Sequence, residues 1–306
     1  MNVISRRNYK KMNLRASYNH SLARPSFKEK SIAQIFDPVS SRTFIGNIEL
    51  DQTTIVNYDL RWEYFFARGE IISASLFYKA FDGHIELVPF ETAPDNLKPR
   101  NSGQSTVAGF EVEGRKTLGF ISEKLFNWGV GANMTMVQSQ MDMNTVIVSN
   151  ATETSPAVTE FESRSQNLRD GEVLSQYRPM TGQAPYMVNG SINYGNKDNG
   201  LNINMSYAVQ GPTLTIVGVG LVPDVYTLPF HSLNFKASKQ FNDVLSVSLK
   251  ATNLLGQSRQ LVFDSYGSEV HSPAYFSLLD PGRTFSVKLG LNLANIKKQE
   301  EAPEEN

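Results

Sequence analysis

Asn57, Asp59, Arg61 and Glu63 stand at every second position and put an amide, two carboxylates and a guanidinium on one side of an extended chain. Such a stripe can hold a polar ligand, or it can pair with charges on neighbouring strands; both readings stay open. Other chemistry is thinner. Asp82 and His84 lie two apart at the start of a loop, a pair that would suit an acid-activated water at a hydrolase rim, although a polar loop tip is the plainer reading. Residues 109–117 hold two glycines five apart before Arg115, Lys116 and Thr117. Arg115 interrupts the Gly-Lys-Thr adjacency that a phosphate loop needs, and Ala108, Phe110 and Val112 alternate as a strand does. His20, His84, His231 and His271 are far apart in sequence, and the chain has no cysteine, so no zinc ligand set, thiol nucleophile or disulfide is encoded at recognisable spacing. The expectation is a protein without catalytic residues, metal or cofactor.

The elements that position the stripe are strands. Val56, Tyr58, Leu60, Trp62, Tyr64 and Phe66 alternate with the polar set, and only Phe65 breaks the pattern. The same two-residue period runs through Phe126, Trp128, Val130, Ala132, Met134 and Met136, through Leu201 to Val209, and through Phe285 to Leu293. Weaker examples over 12–21, 71–81, 105–117, 185–194, 229–238 and 244–255 bring the count to ten. Short connections at 67–70, 118–124, 195–200 and 239–243 interleave with long ones at 22–52, 85–104, 140–184, 211–228 and 256–282. Strands in soluble sheets average about 5 to 6 residues, whereas a tilted membrane-spanning strand needs about 9–11. Long strands with short turns at one rim and long loops at the other predict an all-β, antiparallel transmembrane β-barrel portion with periplasmic turns and extracellular loops. Trp62, Tyr64, Phe126, Trp128 and Leu289 are then expected to face outer-membrane lipid, and Asn57, Asp59, Arg61 and Glu63 the lumen. Among the expected outer loops, 140–184 is rich in Ser, Thr, Asn and Glu. With 29 basic and 30 acidic residues the net charge is -1, which gives no footprint for nucleic acid. No apolar run reaches the roughly 20 residues of a membrane helix; the longest, 214–222, stops at Pro223. A soluble β-sandwich or other β-rich binding protein would also alternate, and remains the alternative outside the membrane.

Particular strings carry a resemblance beyond periodicity. They are Tyr18-Asn19-His20-Ser21-Leu22-Ala23-Arg24-Pro25, Asn57-Tyr58-Asp59-Leu60-Arg61-Trp62-Glu63-Tyr64, Gly109-Phe110-Glu111-Val112-Glu113-Gly114-Arg115, Thr252-Asn253-Leu254-Leu255 and Pro281-Gly282-Arg283-Thr284-Phe285. In this order they resemble the TonB-dependent receptor family in its Bacteroidetes style. The resemblance implies a 22-stranded barrel closed by an N-terminal plug, and uptake of an iron chelate, cobalamin or a glycan driven by an energy-coupling TonB protein acting through that plug. Because such receptors generally contact ligand through outer loops and the plug, it also implies that loop 140–184 is a better candidate for ligand contact than the polar stripe. Here no export signal, plug or coupling box is visible before the first strand, and about half the wall is present. The expected organisation is therefore residues 1–293 as the C-terminal part of the barrel, not transport-competent alone, and 294–306 as a disordered charged tail. The missing plug and barrel half are its expected partners. A self-contained ten-stranded outer-membrane hydrolase is the competing reading.

Overall fold

The computed structural model describes residues 3–9, 11–38, 40–150, 156–168, 170–242, 244–264 and 274–292; the expected charged tail and His271 lie outside them. Eleven antiparallel strands follow one another in chain order around one curved wall: β1 (Val3–Tyr9), β2 (Met12–Ala23), β3 (Thr53–Ala67), β4 (Glu70–Asp82), β5 (Gln104–Thr117), β6 (Trp128–Asp142), β7 (Tyr186–Asn196), β8 (Leu201–Gln210), β9 (Phe230–Gln240), β10 (Leu245–Thr252) and β11 (Thr284–Leu291). A short piece, Tyr177–Arg178, pairs with the end of β6. The expected ten strands become eleven because β1, with adjacent Val3-Ile4 and Arg6-Arg7, has no two-residue alternation to reveal it. Phe126 is a second correction. It ends a 3-10 turn over Glu123–Leu125, its N–H bonded to the Glu123 carbonyl at 3.1 Å, and the strand begins only at Trp128.

Register makes the wall two-faced. Val130, Ile192, Met205, Phe235, Ala251 and Phe285 stand side by side across six strands. Asn13, Glu63, Ser73, Glu113, Asn133 and Asn189 do the same on the other face. A one-residue slip anywhere would exchange the faces, so the alternation itself holds the pairing. Gly109 serves this packing: a Cβ there would sit 2.5 Å from the ring of Phe77, which lies directly opposite on β4. The phosphate-loop-like string is thus part of a strand paired antiparallel on both sides.

Tight turns close one rim. Gly69, at φ 83, completes the β3–β4 turn in a conformation closed to most side chains. The carboxylate of Glu70 then accepts bonds from Lys116 Nζ at 3.0 Å and from the Thr117 N–H at 3.1 Å, tying that turn to the end of β5. At the opposite rim Asn253 takes a left-handed conformation, φ 52, and its Nδ2 donates to the carbonyls of Gln257 and Gly282 at 3.1 and 2.9 Å. Arg283 Nε donates to the Leu254 carbonyl at 2.9 Å. The Thr-Asn-Leu-Leu and Pro-Gly-Arg-Thr-Phe strings are therefore the two sides of one knot joining the tops of β10 and β11.

The long connections fold into a cap. Gln34–Asp37, Arg42–Ile45, Ala93–Asn101 and Ile85–Phe90 make one four-stranded sheet, and Thr213–Ile216, Asp224–Thr227, Arg259–Asp264 and Ala274–Leu279 make another. The buried apolar core sits here: Val88, Leu214 and Val217 form one cluster, and Leu97, Ile216 and Val225 a second. The wall is the reverse, with Leu60, Leu76, Phe110, Met136, Val287 and Leu289 all exposed. A soluble sandwich would bury such a face. Among the described residues no helix is long and apolar enough to cross a membrane.

Candidate functional site: the lumen wall and its outer cap

The polar face of the wall splits into two sectors. In β2 to β5, Arg61 is the hub: its Nε donates to Glu63 at 2.8 Å, its terminal nitrogens to Ser75 at 2.9 Å, Ser73 at 3.1 Å and Glu113 at 3.4 Å. Glu113 also pairs with Arg115 at 3.1 Å, and Glu63 accepts from Asn13 at 3.2 Å. Asp59 accepts from Ser17 at 3.3 Å, and Asn57 donates to Asn19 and Ser21, both at 3.0 Å. The four stripe residues thus share one face, and each is engaged with a neighbouring strand. In β7 to β11 the face carries mainly Asn, Ser and Thr together with Lys236, Lys250 and Lys288, and Asn189 donates across to Asn133 of β6 at 2.8 Å.

Aromatic residues mark two levels of the apolar face. Towards the cap, Tyr18, Tyr58 and Tyr78 follow one another across three strands with ring centroids 5.0 and 6.2 Å apart. At the turn rim Trp128 packs at a tilt against Tyr194, centroids 5.1 Å apart, and Tyr64 edge-on against Phe66 at 5.0 Å. Tyr58 and Tyr64 are six residues apart on β3, about 20 Å at strand rise, close to the apolar band of roughly 25 Å between the aromatic girdles of an outer-membrane barrel. Trp62 lies between these levels, half-buried, and Leu289 on β11 is 70% exposed.

In the cap, six charges from three loops come together, five of them buried and Arg100 partly exposed. Arg178 Nη2 binds both oxygens of Glu86 at 2.8 Å, and its Nε donates to Glu160 at 2.7 Å. Arg100 bridges Glu86 and Glu160. Arg164 donates to Glu160 at 3.0 Å and grips Asp224 through two bonds of 3.0 and 2.8 Å; Asp224 also accepts from the Gly218 N–H at 2.7 Å. Glu160 and Arg164 lie on a short helix, α1 (Glu160–Gln166), started by a capping box between Thr159 and Glu162. Burial opposes ionisation of Glu160, but Arg178, Arg164 and Arg100 outweigh it and hold its carboxyl down at about 2. Arg178 is likewise disfavoured by burial, yet Glu86 and Glu160 raise its pKa above the ordinary arginine value. Burial lowers the pKa of His84, with Arg178 adding to the effect and Glu86 opposing it.

The sequence points to none of these six, since charges in long polar loops read as solvated. The local signal is a single charge set in a short strand-forming run, as in Ile85-Glu86-Leu87-Val88 and Asp224-Val225-Tyr226-Thr227. Loop 140–184, expected to contact ligand, supplies Glu160, Arg164 and Arg178 to this lattice, and buries Met141, Met143, Val146 and Met180. His84 bonds Thr181 through Nε2 at 2.9 Å, while Asp82 is exposed, and no hydrogen bond joins the two.

Residues 8–254 match the family model described as TonB dependent receptor-like, beta-barrel. The chain belongs to the TonB-dependent receptor family. It is accordingly an outer-membrane β-barrel protein of a family of receptors, as its two-faced wall already indicates. Solved TonB-dependent receptors share the fold. A ferric enterobactin receptor mutant from Pseudomonas aeruginosa, in complex with enterobactin, superposes with TM-score 0.55 at 15% identity over 95% of this chain and 40% of its own. The siderophore receptor PirA from the same organism gives 0.55 at 14% identity, over 95% and 41%. The ferric yersiniabactin uptake receptor FyuA from Yersinia pestis gives 0.54 at 14%, over 92% and 35%. The chain thus spans about two fifths of the length of the first of these receptors. Comparison with curated protein sequences finds none that matches.

Proposed function

We propose that this chain forms the C-terminal wall and outer cap of an energy-coupled importer for a scarce nutrient such as an iron chelate, cobalamin or a glycan. The observation that carries this is the in-register, two-faced wall, apolar outside and polar inside, under a folded cap of loops. In this reading Trp62, Tyr64, Trp128 and Leu289 meet lipid, Phe126 sits at the periplasmic rim, and the polar stripe from Asn57 to Glu63 lines the lumen. Energy coupling to TonB runs through a plug contributed by other sequence.

Strand direction supports the need for a complementary wall. β1 and β11 both run towards the short-turn rim, so direct closure of one on the other would be parallel, against the antiparallel order of all the wall pairs. An added wall must begin and end with strands running the opposite way, which requires an odd number of them. Open edges in hydrocarbon cost several kcal/mol per unpaired group, so such a wall does not persist alone. The chain's two tryptophans provide the test. In vesicles containing brominated lipids, the fluorescence lost on Trp62→Phe and on Trp128→Phe should be the quenched component, with Trp62 quenched by bromines deeper in the acyl chains than Trp128. Unquenched signals from both would remove the membrane reading.

A further inference from the structure

In the membrane reading a plug fills the lumen and further strands extend sideways from the β1 and β11 edges, so neither covers the outward face of β2 to β4. On that face Tyr18, Tyr58 and Tyr78 stand directly opposite one another on three successive strands. The row stops there, because the next two strands put Ala108 and Gln138 at the same level. One row nearer the turn rim come Ala16, Leu60 and Leu76, also directly opposed. Three rings above a row that holds one small side chain, Ala16, leave a groove of about 480 Å³ between the two rows. The Tyr18 hydroxyl is taken by His20 Nε2 at 2.5 Å, whereas those of Tyr58 and Tyr78 make no hydrogen bond with a described residue. On the cap side of the tyrosines the same strands carry His20, Val56 and Ala80, with no lysine or arginine among them.

We propose that this groove holds one acyl chain of an outer-leaflet lipid, with the Tyr58 and Tyr78 hydroxyls donating to its ester carbonyl oxygens. The site rests on the membrane reading above and adds a bound lipid to it. The groove lies just inside the aromatic level nearest the cap, and Tyr rings at such a level have one end apolar and the other wet. That is the depth at which acyl chains meet their ester groups. A phenol drawn out of water needs a partner, because leaving its bond unmade costs more than making it gains. An ester carbonyl supplies an acceptor without a charge. A headgroup phosphate fits less well, since phosphate recognition draws on Arg or Lys, and neither stands in the row above.

The test uses the full-length protein in nanodiscs of dioleoylphosphatidylethanolamine, released into detergent and weighed by native mass spectrometry. The unaltered protein should keep one lipid through washing. Ala16→Leu fills the groove and should weaken retention roughly tenfold or more. Ala132→Leu, the same enlargement on the same face of β6, should leave it unchanged. Tyr58→Phe/Tyr78→Phe keeps the rings, removes the hydroxyls and should weaken retention roughly fivefold. A washed protein that keeps no lipid would overturn the site, as would an equal loss in Ala132→Leu or full retention in Ala16→Leu. Full retention in the double Phe variant would overturn the hydroxyl contact and the proposal with it; this arm decides even if Ala16→Leu fails to assemble. If Trp62 and Trp128 are quenched by brominated lipid while no lipid is retained, only this inference fails; if neither is quenched, the membrane reading falls too.

Discussion

The cap and the wall handle charge in opposite ways. In the cap, three carboxylates and three guanidiniums interlock, all but Arg100 buried, so these six charges neutralise one another inside the molecule. On the wall's polar face charges stay near water, and the two sectors differ again: Arg61 gathers Glu63 and Glu113 across β3 to β5, while the lysines of β9 to β11 face one another without a carboxylate in their strands. A buried ion must find its partners within the fold, because desolvation leaves no alternative. A charge on the polar face can stay hydrated or meet a partner outside these strands. The cap is therefore the part of this molecule whose charges are settled within its own loops.

The largest effect should come from Arg178→Met, which strands Glu86 and Glu160 without their shared partner. Breaking a buried pair in this way costs about 3–5 kcal/mol, read as faster amide hydrogen exchange over 85–90 and 160–166. A loss below about 1 kcal/mol would mean the lattice is wet, and the contrast with the wall would vanish. Acid should act in the same place. Glu160 is held at about 2 against an ordinary 4.5, so its contribution is fully present above about 4.5 and is lost as pH falls towards about 2. Exchange in α1 should accelerate across that window and not above it.

Asn253→Ala comes next. It deletes bonds to Gln257 and Gly282 and leaves in the left-handed conformation a residue that tolerates it less well than asparagine, which together cost about 2–3 kcal/mol, measured by urea unfolding of the reconstituted barrel. Arg61→Gln should cost about 1–2 kcal/mol by the same measurement, since Glu63 and Glu113 lose a partner but keep water. Lys250→Gln should change stability by no more than about 0.5 kcal/mol, in the favourable direction if it changes at all, because it relieves an opposed like-charge pair. A clear destabilisation by Lys250→Gln would show that the lysine sector is as internally paired as the Arg61 sector.

The sequence by itself determined the wall. Alternation in β3, β6, β8 and β11 set which side chains share a face, and the spacing of short and long connections set the rims, because a two-residue period is a local property of extended chain. The empty column of acids in β7 to β11 was equally open to inspection. The first strand was not, since Val3-Ile4 and Arg6-Arg7 break the period, and the start of β6 at Trp128 depended on the turns that take up Phe126. What only the tertiary structure decided was the cap. Arg178 meets Glu86 across 92 residues and Arg164 meets Asp224 across 60. No local rule brings such partners together. They meet because loops from three hairpins pack against one another, two of them sharing buried apolar clusters, and charges caught between them must neutralise one another there.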